Sequence, residues 1–487
     1  MAVAPRMIGG PQLARLLGEL PAERPFYAVL ARAIRGLILD GGLALRVRLP
    51  AERDLAAALG VSRTTVTAAY DALRAESFIR SRRGAGSWTA LPRGRTSRLP
   101  HATATATIYG MAEPEIDLGS AAPGAPELFD EAVADAVARL PAHTAGPGYD
   151  PAGLGPLREA VAARYTARGL PTRPEQIMIT AGAQHALNLL AEELMTPGDP
   201  VLVESPTYPH ALDALRRRGA RLIPVGVNAG WDVELIATSM RQTAVRFAYV
   251  NPDFHNPTGR LMDDAGRAAL VEAARRAGCH LVVDETFAEL PLDDDLHGGQ
   301  AMPPPLAAHD TDGRVISVGS AAKVFWGGLR IGWIRTTPPM ARRLATLRES
   351  LDLASPVLEQ LIVRELLLRV DEVRAERVAL LRAGRQALVA ALGDLLPHWE
   401  FTVPRGGMSL WARLPAPAST SLAGAAARLG VRVVPGPLFG VDGLLEDYVR
   451  LPYVQPPGVL GDAIERLARA YQSVETSAAP RYLPSYV

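Results

Sequence analysis

The chain of 487 residues is 48% hydrophobic and 21% charged, an ordinary globular composition with room for roughly two to four domains. A single cysteine, Cys279, excludes an intrachain disulfide and a cysteine-built zinc site; with neither a secretory-type start nor an apolar run of membrane-spanning length, a cytoplasmic protein without membrane or metal partner is expected. The net charge of +1 conceals an asymmetry: residues 1–100 carry 16 arginines against seven acids, a balance of +9, and the remainder is −8, so a polyanion partner is expected for the first part only.

Residues 20–90 read as a compact helical unit closed by a hairpin. Tyr27 to Leu39 repeats apolar residues at helical spacing (Val29, Leu30, Ile34, Leu37, Ile38) and stops at Asp40-Gly41-Gly42. Leu49 to Val66 reads as a short helix, a turn at Gly60 and a second helix capped by Ser62, which is helix-turn-helix grammar. A recognition helix offers its N-terminal residues to the major groove, so Arg63, Thr64 and Thr65 are expected at bases and phosphates while Val66, Ala69, Tyr70 and Leu73 face the core. Two short strands between Phe78 and Ala90 flank Ser81-Arg82-Arg83-Gly84-Ala85-Gly86, a basic wing tipped by glycine.

These residues resemble the winged helix-turn-helix domain of the GntR family, whose pattern runs L-P-S-x-R-x-L-A, L-G-V-S-R-x-T-V, A-Y-x-x-L and R-x-G-x-G. The resemblance spans residues 25–90 and implies that Arg53, Arg63, Thr65 and Gly86 touch or approach double-stranded DNA, with Ser62, Thr64, Arg82 and Arg83 beside them. Ala51 stands where the family carries Ser, which removes a helix cap worth around 1 kcal/mol. Residues 91–115 lack an apolar period and read as a linker. At about 3.3 Å per extended residue it reaches on the order of 80 Å, enough to set the DNA module over another subunit.

From Ile116 onward strands alternate with helices. Strand-like runs at 176–180, 200–204, 246–250, 280–284 and 314–318, with helices between them, predict a mainly parallel α/β sheet covered on both faces over residues 116–370. Beyond the helices of 339–393, runs at 401–403, 408–414, 431–434 and 448–451 interleave with helices near 420–429 and 459–473, predicting a smaller α/β domain over 371–475.

Lysine occurs once, at Lys323, so the other 51 basic residues are arginine. A guanidinium stays charged and cannot serve as a nucleophilic amine, whereas a desolvated lysine forms a Schiff base with an aldehyde. Several stretches converge on one ligand for it. Gly182, Ala183 and Gln184 open a helix after a strand, where free N–H groups and the helix dipole favour a phosphate. Asp284 ends an apolar strand and needs a cationic partner such as a protonated pyridine nitrogen. Asn256 in Asn256-Pro257-Thr258-Gly259 is suited to a phenolate oxygen, Tyr208 to stacking on a flat ring, and Ser320 and Arg330 to a phosphate.

Together these match fold-type I pyridoxal 5′-phosphate enzymes of the class I aminotransferase kind, a resemblance covering residues 115–475. It implies pyridoxal 5′-phosphate held on Lys323 as a Schiff base, and a substrate carboxylate clamped by Arg450. Two places depart from the enzyme pattern. Thr286 and Phe287 stand where relatives have a tyrosine whose hydroxyl reaches the cofactor, and Ala322 replaces the usual serine before the lysine. His255 stands where many relatives carry Gln. Binding is therefore expected to survive better than turnover.

A winged helix ahead of an aminotransferase-like body is the arrangement of the MocR (GabR-like) subfamily of GntR transcriptional regulators, which this chain resembles over residues 25–475. The resemblance implies a DNA-binding regulator, a homodimer with DNA domains swapped head to tail, and an amine, amino acid or pyridoxal phosphate as effector. A working aminotransferase that carries a DNA-binding domain is the alternative.

Overall fold

The structure, a computed structural model, describes residues 6–82, 86–92, 114–296 and 302–478. Most of the expected linker, and Arg83 of the wing, lie outside the described residues. The N-terminal module holds four helices, α1 (Gly10–Leu17), α2 (Phe26–Leu39), α3 (Glu52–Leu59) and α4 (Arg63–Ala75), and a hairpin of β1 (Ile79–Arg82) and β2 (Gly86–Thr89). In α2 the buried residues Leu30, Ile34 and Ile38 recur at four-residue steps, which is the spacing that puts one stripe on the core. Gly60 closes α3 in the left-handed conformation at φ +67 with no side chain to clash. Ser62 Oγ then accepts the Thr65 N–H at 3.1 Å to start α4. Helix α3 begins at Ala51 without a side-chain cap, as its sequence requires.

Helix α1 lies ahead of the boundary expected at residue 20. Its start has only Gly9 and Pro11 as signals, yet Leu13 is fully buried, and a Cβ on Gly10 would meet the Asp54 carbonyl at 2.6 Å, so α1 is seated against α3.

The body has two sheets. Strands are β3 (Ile116–Leu118), β4 (Ile177–Thr180), β5 (Pro200–Ser205), β6 (Arg221–Gly226), β7 (Phe247–Val250), β8 (His280–Asp284), β9 (Val315–Ser320), β10 (Gly332–Arg335), β11 (Glu400–Phe401), β12 (Ser409–Arg413), β13 (Val431–Pro435) and β14 (Tyr448–Pro452). Among the described residues the large sheet runs β4-β10-β9-β8-β7-β5-β6 and the small one β11-β12-β14-β13-β3. Strands β5 to β9 pair in parallel, whereas β10 is antiparallel to both its neighbours. Parallel strands buried on both faces need continuous apolar runs, and β7 and β9 are buried at every position.

One division of the chain differs from the sequence reading. Ile116–Leu118, expected in the large domain, pairs in parallel with β13 in the small sheet, through backbone bonds that carry no residue signature. The boundary at residue 370 falls where one continuous helix, Val370–Leu395, begins and carries the chain toward the small domain.

One buried ion pair pins the loop that follows β7. Arg267 and Asp253 are both fully buried and bond at 2.6 Å, and Arg267 also donates to the carbonyls of Met262 (3.0 Å) and Pro304 (3.2 Å). Removing one partner leaves an uncompensated charge in the core. Arg267→Leu is expected to lower stability by about 3–5 kcal/mol, with Asp253→Leu/Arg267→Leu recovering much of the loss. Urea unfolding followed by tryptophan fluorescence reads both, and equal stability of Arg267→Leu and the parent chain would contradict this role.

Candidate functional site

The ends of the large-sheet strands bring the expected residues to one edge, the carboxyl edge where open α/β sheets place ligands. Thr180 ends β4, Ser205 ends β5, Asp284 ends β8 and Ser320 ends β9. Gly332 at the start of β10 sits in register between Thr180 and Ser320. A Cβ there would come within 2.7 Å of Gly182 C and 2.8 Å of Gly319 O, so only glycine lets the two turns approach.

Those turns form an anion cradle. Gly182 is at φ +92 and caps the helix Ala183–Leu194, so Ala183 and Gln184 lie in its first turn, where N–H groups lack helical partners. Arg330 lies over the same turn, with Nη2 3.2 Å from the Ala181 carbonyl, and a Cβ on Gly182 would meet that Nη2 at 3.0 Å. Arg330 adopts φ +51, a left-handed conformation costing an arginine about 1–2 kcal/mol, and strain of this kind concentrates at ligand clamps. Ser320 Oγ accepts from the Ala322 N–H at 3.1 Å and keeps its own proton to donate. Gln184 donates to the His210 carbonyl at 3.0 Å, and its buried Oε1 has no partner among the described residues. Helix N-terminus, hydroxyl and guanidinium together fit a phosphate.

Lys323 lies in a short turn of π-helix, Ala322–Trp326, that follows β9. Its Nζ donates to the Ala121 carbonyl at 2.8 Å and stands 5.5 Å above the Phe287 ring. Burial, with Arg450 nearby, pushes the amine down to about 8 against the pull of Asp284. The Lys323 turn is held from behind by Arg377, which donates to the carbonyls of Val324 (3.2 Å), Phe325 (3.0 Å) and Gly124 (2.8 Å).

Asp284 is gripped on both oxygens. The Thr286 N–H donates to Oδ1 at 3.0 Å and the Tyr249 hydroxyl to Oδ2 at 2.5 Å. Asn256 is buried, with Oδ1 3.4 Å from Arg450 Nη1. Arg450 on β14 also donates to the Gly119 carbonyl and lies 5.2 Å over the Phe439 ring. Tyr208 is half-buried, edge-on to His210 with ring centres 5.2 Å apart. Lys323, Asp284, Asn256 and Arg450 therefore belong to one site, with the cradle at its β4–β9 side.

Four contributors escaped the sequence reading. The carbonyls of Gly119 and Ala121 have no residue signature. Tyr249 did have one, because a tyrosine inside a fully buried strand needs a partner for its hydroxyl. Glu204 accepts from Trp231 Nε1 (2.6 Å) and the Asn251 N–H (2.9 Å), and lies 3.1 Å from His255 Nε2. His255 Nδ1 in turn is 2.9 Å from Thr258 Oγ1, so this histidine, in sequence only a departure from the enzyme pattern, braces the turn that carries Asn256.

The expected DNA-facing residues gather at the start of α4. Arg63 and Thr64 are exposed, and Ser62 Oγ lies 2.7 Å from Thr64 Oγ1 and 2.8 Å from Thr65 Oγ1. Arg63 is held only loosely, 3.4 Å from Glu52, and Arg53, on α3, points outward at 82% side-chain exposure. Gly86 at φ +110 backs onto the Arg48 guanidinium, which a Cβ would meet at 2.7 Å. Of Arg82 only the backbone, paired with Gly86, is described.

Comparison with known proteins accounts for both parts. The bacterial regulatory proteins of the gntR family match residues 26–88, and aminotransferase class I and II matches residues 115–467. The chain is 33% identical over 363 residues to a 2-aminoadipate transaminase of Thermus thermophilus, covering 72% of this chain and 88% of that one. It is 32% identical over 346 residues to the probable rhizopine catabolism regulatory protein MocR of Rhizobium meliloti, covering 67% and 68%. The crystal structure of LysN, an α-aminoadipate aminotransferase of Thermus thermophilus, complexed with N-(5′-phosphopyridoxyl)-L-leucine, superposes with a TM-score of 0.67 at 31% identity, covering 74% of this chain and 93% of that one. The chain thus belongs to the class I and II aminotransferase family and, with its gntR-family module in front, is a regulator of the MocR (GabR-like) group.

Proposed function

We propose that this chain is a pyridoxal-phosphate-dependent, DNA-binding transcriptional regulator whose aminotransferase-like body senses an amine, an amino acid or pyridoxal phosphate itself. The observation that carries the reading is the chain's one lysine, buried near a hydrogen-bonded carboxylate and following a strand whose end and neighbouring helix N-terminus offer donors suited to a phosphate, in a body fused to a helix-turn-helix. When bound, the cofactor supplies an aldehyde that condenses with amines and a ring that draws electrons from them. The cradle of Gly182, Ala183, Gln184, Ser320 and Arg330 would hold its phosphate, Asp284 its ring nitrogen, Asn256 its phenolic oxygen and Tyr208 its ring face. Tyr249 and Thr286 keep the Asp284 carboxylate fixed. Lys323 Nζ, neutral in part near pH 8, would be the amine that holds the aldehyde and yields it to an incoming amine, and Arg450 would receive that amine's carboxylate.

A homodimer, and an operator met by Arg53, Ser62, Arg63, Thr64, Thr65, Arg82, Arg83 and Gly86, complete the proposal; the expected swapping of the modules is left out of it, because here the module is bonded to the body of its own chain. Occupancy of the site shifts the balance of domain arrangements and, by linkage, the affinity for DNA. The alternative, a working transaminase, has the transaminase relatives in its favour, but Phe287 offers no hydroxyl where relatives have tyrosine. Sustained keto acid production at roughly 1 per second or faster would favour it.

The link to Lys323 is testable through composition. A lysine-specific protease should cut the denatured chain once; after borohydride reduction of the cofactor-loaded protein the chain should run whole. Equal cleavage of reduced holoprotein and apoprotein would exclude the link. Because only the neutral amine attacks, capture of pyridoxal phosphate by apoprotein should quicken as pH rises and level off above about 8. A capture rate that still rises about tenfold per pH unit between pH 8 and 9 would contradict a depressed Lys323.

For the DNA face, Arg63→Ala should weaken binding to duplexes tiling the region upstream of the chain's own gene and lower the slope of log affinity against log salt by about 1. An unchanged slope in a folded variant would remove Arg63 from the interface.

A further inference from the structure

The DNA-binding module meets the body through its N-terminal arm, through an ion pair of Arg46 with Asp442 at 3.1 Å, and through the turn after α2. Among the described residues its N-terminal arm is fastened to the large domain: Arg6 donates to the Pro224 carbonyl and to Ser239 Oγ (2.8 Å), the Met7 N–H to Gln242 Oε1 (3.2 Å), and Gln12 Nε2 to Thr238 Oγ1 (3.2 Å). The turn after α2, Asp40-Gly41-Gly42, instead sits in a notch with walls from both domains. On the large-domain wall Asn228 Nδ2 donates to the Asp40 carbonyl at 3.2 Å, and a Cβ on Gly226 would meet Gly42 Cα at 2.5 Å. Gly41, at φ +69, leaves its missing Cβ 3.1 Å from Ser205 Oγ and 3.7 Å from Leu445 Cδ2, one atom from each wall. On the small-domain wall the Leu445 N–H donates to the Leu39 carbonyl at 3.2 Å, and Arg413 Nη2 lies 3.5 Å from Asp40 Oδ1. Arg413 also bonds Asp447 at 3.1 Å. Burial, reinforced by Asp447, pushes the Asp40 carboxyl up to about 7, the mark of a carboxylate taken out of water.

This notch lies a few contacts from the ligand site. The Phe439 ring is 5.2 Å from the Arg450 guanidinium and 5.2 Å from the Trp411 ring. Trp411, cross-strand from Arg450, donates its Nε1 to Asn228 Oδ1 at 3.0 Å, and Asn228 holds Asp40 with its other side-chain atom. A second route leaves the Asn256 turn: Arg260 Nε donates to the Asn228 carbonyl at 2.8 Å. Asn228 is thus bonded from the small domain, from the turn beside the cofactor residues and from the DNA module.

We propose that the Asp40-Gly41-Gly42 turn is the coupling surface of this protein, by which the fit of the small domain against the large one at Arg450 and Asn256 sets how firmly the DNA-binding module is seated. The inference rests on the reading of the body as a ligand-binding sensor. With its arm fixed to the large domain, the module pivots when the small-domain wall moves, and its recognition helix turns with it. Contiguity alone does not establish coupling, so the test measures it directly.

Hydrogen exchange of residues 36–45 is followed in the full chain, as apoprotein, with pyridoxal phosphate, and with N-(5′-phosphopyridoxyl)-L-leucine, a stable adduct carrying both a cofactor and a carboxylate. The adduct should change exchange in this segment by about fivefold or more in the parent chain, and Asn228→Ala should erase the difference while still binding the adduct. Arg413→Ala, which strips the other wall, serves the same purpose if Asn228→Ala does not fold. Adduct bound, as seen by its absorption, with exchange at 36–45 unchanged in the parent chain overturns the coupling surface and leaves the ligand site standing. Failure of both probes to bind overturns the sensor reading, and this inference with it.

Discussion

An amine kept partly neutral near neutral pH is the constraint around which the body is arranged. Burial disfavours the charged form of Lys323 and Arg450 adds a like charge, while Asp284 pulls the other way, leaving the amine near 8. Among the described residues its surroundings give it the Ala121 carbonyl and the face of Phe287. An arginine at this position would stay charged under any of these influences. That is a chemical reason for one lysine to persist in a chain that otherwise uses arginine throughout.

The same arginine usage explains how the loops of the site are held. A guanidinium presents five N–H donors in a plane and can reach more than one chain segment, where an ammonium acts as a point charge. Arg377 joins the Lys323 turn to Gly124, close to the segment that supplies the Gly119 and Ala121 carbonyls. Arg348 does similar work, bonding the Ile179 carbonyl at 2.6 Å and Ser355 Oγ at 2.8 Å, next to the strand that leads into the phosphate cradle. Arg267 holds Asp253, in the loop before Asn256, and bonds the Pro304 carbonyl as well. These buried cations satisfy carbonyls that irregular backbone would otherwise leave unpaired, which is what permits so many site residues to sit on turns.

What could be read from the sequence divides along the range of the interactions involved. The helix-turn-helix was legible because its determinants are local: the spacing within α2, Gly60, and the Ser62 cap all act over a few residues. Strands β5, β7 and β8 were legible as apolar runs. Strand β6 was not, because it lies at the sheet edge, alternates between buried and half-buried positions and contains Pro224; nor was β10, four residues long in a glycine-rich stretch. At the site, side-chain identities pointed to the chemistry, but their contacts join segments 202 residues apart for Lys323 and Ala121 and 194 apart for Arg450 and Asn256. No local pattern encodes a carbonyl acceptor at that distance.

The retained and the missing groups bear differently on binding and on turnover. Asp284, Asn256, Arg330 and Arg450, which on the proposed reading hold a cofactor and a carboxylate, are bonded to neighbouring segments, whereas the position three residues beyond Asp284 is a buried phenyl ring with no hydroxyl to offer. Repeated group transfer needs an amine that moves protons and donors that hold the ring's phenolic oxygen, and here one such donor is missing. A regulator needs less. A ligand that binds one arrangement of two domains more tightly than another shifts their populations whether or not it is consumed. The module's seat spans both domains, with Asn228 on one wall and Leu445 and Arg413 on the other, so the relative position of those domains is itself the quantity the DNA-binding unit meets. On the proposed reading, losing the hydroxyl costs the protein catalysis and leaves its signal intact, because the signal is carried by domain fit and not by product.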